Sequence, residues 1–398
     1  FTKVTWKRAY EILKSQVEKI NYKKIGCLTG DLTNMETAFA AKELFNKVFK
    51  SNLIDSRSKN YYVNFSEKQN YIFNSNITGI ENSDLILMVG CNPRYEATLL
   101  NSRIRKSYLK SKLSIYSTND IGDQTYPYKI LDNSTNLIRD IVEGKNEISK
   151  KIIQSTKPII MIGQSVLNLK SGQYIFEELK KFLNKNNKIT NEWNSLNILS
   201  KDAASVGSYD LTLFSSNNGS NILLEKVKQN SLDLLFLVGQ DKLKIERKGV
   251  FIVYIGSHGD EGAKNSDLIL PGSAYTEQDG HYTNLEGKIQ KAYKASYPPG
   301  EAKEDWQIIN DLAELMNNRK LFNDKDELES SMLNYLNLKK EKGKSGLIKE
   351  YDQSVFENEN LIVNYKDYYF SNVIARSSKT MLDCNNSKID FKRTGTEG

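Results

Sequence analysis

The residues of this chain that are best suited to acid–base chemistry lie close together in one polar loop. Glu277, Asp279 and Glu286 surround His281, one of only two histidines in the sequence. Carboxylates and histidines act as general acids and bases when they meet within hydrogen-bond distance around a cleft. Proximity in a loop does not establish such a meeting, and loops of assembled proteins often carry these residues at subunit contacts. We therefore expect loop hydrogen bonds or a subunit contact, and we predict no catalytic residue.

The sequence offers few ligands for a metal ion. Cys27, Cys91 and Cys384 are isolated from one another, and His258 and His281 are the only histidines. A [4Fe–4S] cluster needs four thiolates at short spacings, and a structural zinc site needs four cysteine or histidine ligands. We therefore predict no metal ligand in this chain, and the odd number of isolated cysteines favours a reducing compartment.

Several glycines follow predicted strands and could bring the backbone close to a phosphate group. None of them forms a GxGxxG or a P-loop sequence. Tight turns between strands and helices are the ordinary role of glycine at such positions, and we expect that role here. A crevice shaped for a nucleotide is the alternative, and we predict no cofactor-binding residue. The glycines are Gly30, Gly90, Gly163, Gly239 and Gly256.

Composition and charge limit the classes of partner. The chain has 398 residues, 39% of them hydrophobic, which allows two α/β domains with additional segments. Its 56 basic and 49 acidic residues are scattered, giving a net charge of +7, so we expect no nucleic-acid binding. No apolar run approaches the roughly 20 residues that cross a bilayer, so we expect no direct membrane insertion. One short basic cluster, interpreted as a solvated helix face or a subunit contact, contains Arg94, Arg103, Arg105, Lys106, Lys110 and Lys112.

Step by step along the chain, apolar strands alternate with helices of about a dozen residues, a pattern typical of parallel sheets covered on both faces. Three of the strands are near-copies: SDLILMVG, LDLLFLVG and SDLILPG. The fold class predicted is α/β, with two doubly wound, mostly parallel sheets and a C-terminal extension. The predicted strands are 24–30, 84–90, 113–117, 158–163, 232–239, 250–256 and 267–270.

Local signals predict where helices begin. Thr5 is a plausible N-cap for a helix over residues 6–20, and Thr33 with Glu36 fits a capping box before the next helix. A further helix is predicted over residues 172–183, and residues 59–82 are predicted to be loop.

The sequence predicts an α/β domain over residues 1–150, a second over 151–317 and a charged extension over 318–398. It leaves open whether one of the two domains is inserted into the other. The extension shows a weak helical stripe at Leu328, Met332, Leu336 and Leu338 within the charged stretch 323–349. An aromatic run follows from Tyr365, and the tail 385–398 is polar. Residues 368–381 are expected to be an ordered docking segment.

Residues 266–306 are the most specific stretch of the chain. They predict a strand stopped by Pro271, a long loop, and a helix after Pro298–Gly300 that carries acidic residues in its first turn. We expect this loop to tie the two α/β units together and to contact neighbours.

This stretch resembles the C-terminal signature of the large iron–sulfur subunit of the peripheral arm of respiratory complex I, NADH:ubiquinone oxidoreductase. Lys288 stands where that family usually has arginine. Val4-Thr5-Trp6 and the run from Tyr368 to Met381 resemble the same family. The matching residues of the signature are Asp267, Leu268, Ile269, Leu270, Pro271, Gly272, Ala274, Tyr275, Thr276, Glu277, Asn284, Glu286, Gly287, Gln290, Pro298, Pro299, Gly300, Ala302, Glu304, Asp305 and Trp306.

The motif Gly90–Glu96 also resembles a turn in the related molybdopterin oxidoreductases, where the turn lies near the pterin nucleotide. This would give Asn92 and Glu96 a cofactor role. However, the sequence shows neither a cofactor-covering barrel nor a thiol that stands out as a metal ligand. We therefore expect Arg94 and Glu96 to be turn and helix-start residues, and we expect no cofactor in this chain.

The resemblance implies a structural region of the complex I subunit, without its cluster-bearing N-terminal part. Iron–sulfur clusters are then expected in that part or in partner subunits, and the partners are other peripheral-arm subunits. The implied location is the matrix side of the mitochondrial inner membrane, with the cytoplasmic side of a bacterial membrane as the alternative. Phe1 at the start suggests a processed or trimmed chain. The alternatives in function are a free molybdopterin- or nucleotide-binding oxidoreductase and an independent Rossmann-like binding module.

Overall fold

The computed structural model describes residues 1–215, 221–245, 249–342, 355–364 and 367–393. Two five-stranded sheets dominate this part of the chain, and the strands within each are all parallel. The predicted fold class is therefore confirmed. The strands of the first sheet are β1 Ile25–Thr29, β2 Ile54–Asp55, β8 Leu234–Val238, β9 Phe251–Gly256 and β10 Leu268–Pro271. Their order across the sheet is β10-β9-β8-β1-β2.

The strands of the second sheet are β3 Leu85–Val89, β4 Ser114–Ser117, β5 Lys129–Ile130, β6 Pro158–Gly163 and β7 Leu196–Leu199. Their order across the sheet is β5-β4-β3-β6-β7. All of them fall between the second and third strands of the first sheet in the sequence, so the second unit is inserted into the first. The boundary that the sequence suggested at residue 150 lies inside the second sheet, between β5 and β6.

The central strands are buried along their whole length because helices cover both faces of each sheet. Every residue of β1, β3, β6 and β8 is buried, which matches their unbroken apolar sequences. The helices are α1 Trp6–Val17, α2 Met35–Leu44, α3 Pro93–Glu96, α4 Thr98–Lys110, α5 Thr135–Val142, α6 Glu147–Gln154, α7 Gln164–Leu167, α8 Gly172–Lys185, α9 Ser205–Asp210, α10 Ile222–Lys228, α11 Glu261–Lys264, α12 Asp305–Asn317, α13 Lys325–Lys342, α14 Val373–Ser377 and α15 Lys379–Arg393.

Helix starts follow local hydrogen bonding, with one correction. Thr5 caps α1 as predicted, since its side chain accepts from the Arg8 amide. The N-cap of α2 is Asn34, whose side chain accepts from the amide of the third helical residue, and the Thr33–Glu36 capping box was wrong. Thr33 instead uses its hydroxyl between two strand ends, accepting from the Gly30 amide and donating to a carbonyl at the end of β8.

The loop predicted after β10 contains an antiparallel hairpin, β11 Gly280–Thr283 and β12 Ile289–Ala292. Gly287 makes its turn possible with a φ of +84°. The hairpin packs against α2 and α9. The predicted helix then begins at Asp305, with a capping box between Glu304 and Gln307.

The C-terminal extension lies against both units. Leu328, Met332 and Leu336 of α13 are buried in the core of the first unit, whereas Leu338 is 46% exposed and does not belong to the buried stripe. Leu361 is buried in the core of the second unit. Positions 343–349 of the predicted charged stretch, Tyr365 and the last five residues of the tail lie outside the described residues. No described helix is long and apolar enough to span a bilayer.

Candidate functional site

The carboxyl ends of the two sheets border a shared crevice. In the first sheet the direction of winding changes between β1 and β8, and in the second between β3 and β6. Such switch points are where doubly wound sheets bind ligands. Asp31 follows β1, Glu96 follows β3, and Gly239 and Gln240 follow β8, and these residues line one cavity of about 270 Å³. We call this cavity the switch-point crevice.

The glycines beside the crevice serve contacts between neighbouring turns. A Cβ atom on Gly30 would lie 1.7 Å from the Gly239 carbonyl oxygen, and one on Gly163 would lie 2.2 Å from the Gly90 carbonyl oxygen. Gly90 and Gly239 have φ values of +55° and +61°. The absence of side chains at these positions therefore lets adjacent strand ends touch each other, which is the role expected of a tight turn.

The cations of the crevice are held by carboxylates. Lys201 lies 3.1 Å from Glu96, and Lys242 lies 3.0 Å from Asp31. Burial raises the pKa of Glu96, although the ion pair with Lys201 opposes that shift. Burial also raises the pKa of Asp241 to about 6, and the Tyr254 hydroxyl donates to this carboxylate at 2.5 Å. The lining of the crevice therefore has no excess of positive charge, because its carboxylates are at least as numerous as its cations.

Residues 367–377, which we call the C-terminal segment, form part of the crevice wall. Tyr368, Asn372 and Arg376 line the cavity. The Arg376 guanidinium donates from Nε to Asp260 at 2.6 Å and from Nη1 to a carbonyl within its own segment at 3.3 Å. The sequence predicted an ordered docking segment over residues 368–381, and the structure shows residues 368–376 docked on the surface of the same chain.

The turn after β3 is held by its own side chains. The Asn92 side chain caps α3, accepting from the Arg94 amide at 3.2 Å, and its Nδ2 donates to the Ile121 carbonyl. Glu96 accepts from the Asn92 amide at 2.5 Å. Arg94 pairs with Asp123 on the surface. Arg94 and Glu96 therefore occupy the turn and helix-start positions expected from the sequence.

The acidic loop residues do not form one site. Glu277 accepts from the Ala274 amide, Asp279 accepts from the Lys294 amide, and Glu286 accepts from the Ile77 amide. Each carboxylate thus holds a different stretch of backbone, which is the hydrogen bonding expected of this loop.

His281 meets two carboxylates that sequence reasoning missed. Its Nδ1 lies 2.5 Å from Glu36 on α2, and its Nε2 lies 3.7 Å from Glu329 on α13. The hydrogen bond to Glu36 raises the pKa of the imidazole, and the charge of Glu329 adds to the effect. No local pattern could have revealed these partners, because they come from distant helices.

Ligand atoms of these three residues lie within 4.8 Å of one another, a spacing that a metal ion could use. However, both Glu36 oxygens accept from His281, one from its amide and one from its ring. Glu329 accepts from Lys291 at 2.9 Å. The two carboxylates thus already accept hydrogen bonds, and the three side chains form a clamp that joins α2, the hairpin and α13.

Asp305 is the buried carboxyl of the signature stretch. Its oxygens accept from the Ser273 amide at 3.1 Å and from Gln278 Nε2 at 3.2 Å. Burial raises the pKa of Asp305 to about 7, against the opposing effect of these hydrogen bonds. The side chain therefore ties the exit of β10 to the start of α12.

Comparison with known proteins identifies a family. The sequence profile described as molybdopterin oxidoreductase matches residues 1–315. The chain is 37% identical to the NADH-ubiquinone oxidoreductase 75 kDa subunit of Reclinomonas americana over 96% of its own length and 58% of that protein. It is 34% identical to the mitochondrial NADH-ubiquinone oxidoreductase 78 kDa subunit of Candida albicans, covering 54% of it. It is 30% identical to a subunit of the NADH-quinone oxidoreductase of Rickettsia bellii, covering 56% of it.

The chain thus spans a little over half the length of these curated relatives. Among solved structures, it resembles a chain of the formyltransferase/hydrolase complex from Methylorubrum extorquens, with a TM-score of 0.57 and 12% identity. That likeness covers 79% of this chain and 97% of the other. At this identity it concerns the fold alone.

The crevice residues do not fit the phosphate-bearing pterin cofactor that the family description suggests. The switch-point crevice, at about 270 Å³, is close in size to the smallest of the usual small-molecule sites, which offer about 300–1,000 Å³, so the chemistry of its lining decides the fit. A phosphate also needs donors and positive charge. Here Lys201, Lys242 and Arg376 each contact a carboxylate. A bound phosphate would therefore compete with these carboxylates for the cations.

Proposed function

The chain belongs to the molybdopterin oxidoreductase family, and we propose that it serves as a structural region of the large peripheral-arm subunit of respiratory complex I. In this role it supports NADH oxidation coupled to ubiquinone reduction and proton translocation, while holding no redox centre of its own. Relatives named as subunits of NADH-ubiquinone and NADH-quinone oxidoreductases support this assignment.

The switch-point crevice is the observation that carries the proposal. A family member that works on a bound cofactor needs an open crevice with donors directed into it. In this chain the C-terminal segment forms one wall, and Arg376 is engaged by Asp260. These contacts favour a scaffold that retains the family's fold and uses the crevice for its own packing.

Electron transfer in the assembly then depends on cofactors outside this chain. We propose that iron–sulfur clusters lie in the part of the subunit that this chain does not match, or in partner subunits. Cys27 and Cys91 are buried in the cores of different sheets, and Cys384 is exposed. This separation supports the proposal, because a cluster needs thiolates that converge.

We propose a location on the matrix side of the mitochondrial inner membrane, reached through partner subunits. Two fungal relatives carry the word mitochondrial in their names, which supports this choice over a bacterial membrane. Protease protection of the chain in intact mitochondria, and its loss after both membranes are opened, would support the proposal. Cleavage in intact mitochondria would contradict it.

Native electrophoresis of membranes from the source organism tests the assignment. An antibody to this chain should detect it in a band of large mass that also reduces a tetrazolium dye with NADH. The purified chain should contain no stoichiometric iron, molybdenum or flavin by metal analysis and absorbance. Migration as a small species would contradict the role in complex I. A stoichiometric chromophore would favour a free pterin- or nucleotide-binding oxidoreductase.

A further inference from the structure

The outward face of α4 is an unusual surface for a solvated helix. Leu99 is 81% exposed and Leu109 is 67% exposed, while the opposite side of the helix buries Leu100 and Ile104. Leu99 and Leu109 are ten positions apart, which places them about 15 Å apart along the helix. Ser102 lies between them on the same exposed face. Two large apolar side chains are therefore presented to solvent on a rigid, well-anchored element.

The same face carries excess positive charge. Glu81 pairs with Arg103 and Lys106 of α4. Arg105 and Lys110 on α4 and Lys112 just after it are exposed. In the part of the chain that the structure describes, no carboxylate lies within 4.0 Å of these three cations. Glu81 thus neutralises part of the basic cluster noted in the sequence, with Lys110 also contributing to its electrostatic environment, and the helix keeps an excess of positive charge.

We propose that the outer face of α4, defined by Leu99, Ser102, Arg105, Leu109 and Lys110 and here called the α4 surface, docks an acidic protein partner. The inference rests on the proposed function, because the partner is another subunit of the peripheral arm. The fitting surface has two apolar sites about 15 Å apart with carboxylates between and beside them. Charge complementarity then sets the orientation of docking, while the leucines supply buried apolar area.

A protein fits the α4 surface better than a lipid or a nucleic acid does. Insertion into a membrane needs a broad continuous apolar face, and here only two leucines stand among polar residues. Binding of single-stranded nucleic acid relies on aromatic side chains that stack with bases, and the α4 helix itself exposes leucines and cations.

Site-specific crosslinking identifies what covers the surface. Ser102→p-benzoylphenylalanine places a photoreactive group at its centre without changing charge. In cells where this variant replaces the native chain, illumination should produce an adduct in the assembled complex. Mass spectrometry should locate the adduct in a segment of another subunit with aspartate or glutamate beside apolar residues. An adduct on phospholipid or nucleic acid, or no adduct in the assembled complex, overturns the inference.

Charge reversal then tests the chemistry. The variant Arg105→Glu with Lys110→Glu should lower the fraction of chain in the assembled complex roughly tenfold. Leu99→Ala with Leu109→Ala should lower it by a similar factor. Lys7→Glu with Lys14→Glu is the matched control, because it reverses two exposed charges on α1. Thermal melting of each purified variant should match the wild type.

The outcomes separate this inference from the proposed function. Co-migration of the wild-type chain with complex I, together with charge-reversal variants that assemble normally, leaves the proposed function intact and overturns the α4 surface. An equal loss of assembly in the α1 control also overturns it. A wild-type chain that never co-migrates with the complex overturns both. Binding of the purified chain to vesicles of phosphatidylcholine and phosphatidylglycerol, abolished by Arg105→Glu with Lys110→Glu, would assign the surface to lipid and overturn the protein partner.

Discussion

Arg376→Gln should release the C-terminal segment from the switch-point crevice. The Arg376–Asp260 contact is 2.6 Å long, and the two side chains are only 20% and 17% exposed. A hydrogen bond between charged groups in such a setting contributes about 1.5–3 kcal/mol to stability. The substitution removes the charge while retaining a polar side chain, so the loss should be concentrated in the contacts between the segment and the crevice.

Native-state hydrogen exchange measures this loss locally. The Arg376 amide donates to the Asn372 carbonyl at 3.0 Å, and the Ala375 amide donates to the Asn372 side chain. Both amides should exchange about ten- to a hundredfold faster in the variant, which corresponds to the free energy above. Amides of the buried strand β3 should keep their wild-type rates.

A double-mutant cycle isolates the ion pair. Asp260→Asn should produce a similar increase in exchange, and the double variant should add little, because either change removes the same contact. Arg8→Gln is the control, since the Arg8–Glu11 pair on α1 is 63% and 50% exposed and exposed pairs contribute little. Unchanged exchange of the segment in Arg376→Gln, or full additivity with Asp260→Asn, would refute the conclusion that this pair holds the segment.

Three further predictions concern protonation and packing. The contacts of His281 with Glu36 and Glu329 raise the pKa of its imidazole, so the charged ring stabilises the folded state most at low pH. In chemical denaturation, the wild type should therefore be more stable than His281→Gln at low pH. This difference should shrink as the pH rises above 6.5, the ordinary pKa of histidine. The contribution of Asp305 to stability also falls as the pH rises, because burial raises the pKa of its carboxyl from 3.8 to about 7. Between these two pH values the wild type should lose stability relative to Asp305→Asn. Parallel profiles of stability against pH for the two proteins would contradict this. Gly30→Ala should cost about 3 kcal/mol in the free energy of unfolding, because its Cβ would meet a backbone carbonyl. Gly259→Ala is the control: its added Cβ would have no neighbouring atom within 4 Å, so the free energy of unfolding should change little.

Local sequence patterns predicted the central elements well because the signals that define them are local. The run PIIMIG predicted a strand over 158–163, and the structure has β6 at Pro158–Gly163. Such runs are readable because a strand covered on both faces must be apolar throughout. Thr5 was likewise identified as a cap, since the cap and its amide partner are only three residues apart.

Elements whose pairing carries little signal in the local sequence were missed. The short strands β2, β5 and β7 lie outside the central pairs of their sheets and were not predicted. The hairpin β11–β12 was predicted as loop, although its residues pair with each other and pack on α2. Alternating or short segments carry too little local signal, and their neighbours across the sheet decide whether they pair.

The order of strands along the first sheet also required the structure. Strand β1 pairs with β8, which lies about two hundred positions later, with the whole second sheet between them. The near-copies SDLILMVG, LDLLFLVG and SDLILPG suggested recurring strands, but a recurring sequence does not state which sheet each copy joins. Winding from β1 to β2 in one direction and from β8 to β10 in the other is a property of the assembled chain.

The sequence by itself determined the α/β class, the buried strands, the main helices and the resemblance to a family, because each depends on residue types at short spacings. Only the tertiary structure decided what surrounds the chemically suggestive residues. It placed His281 beside Glu36, 245 positions away, and apart from its acidic loop neighbours. It placed Arg376 on Asp260, 116 positions away, at the edge of the switch-point crevice. Contacts across such separations arise from packing, and the local pattern around neither partner contains them.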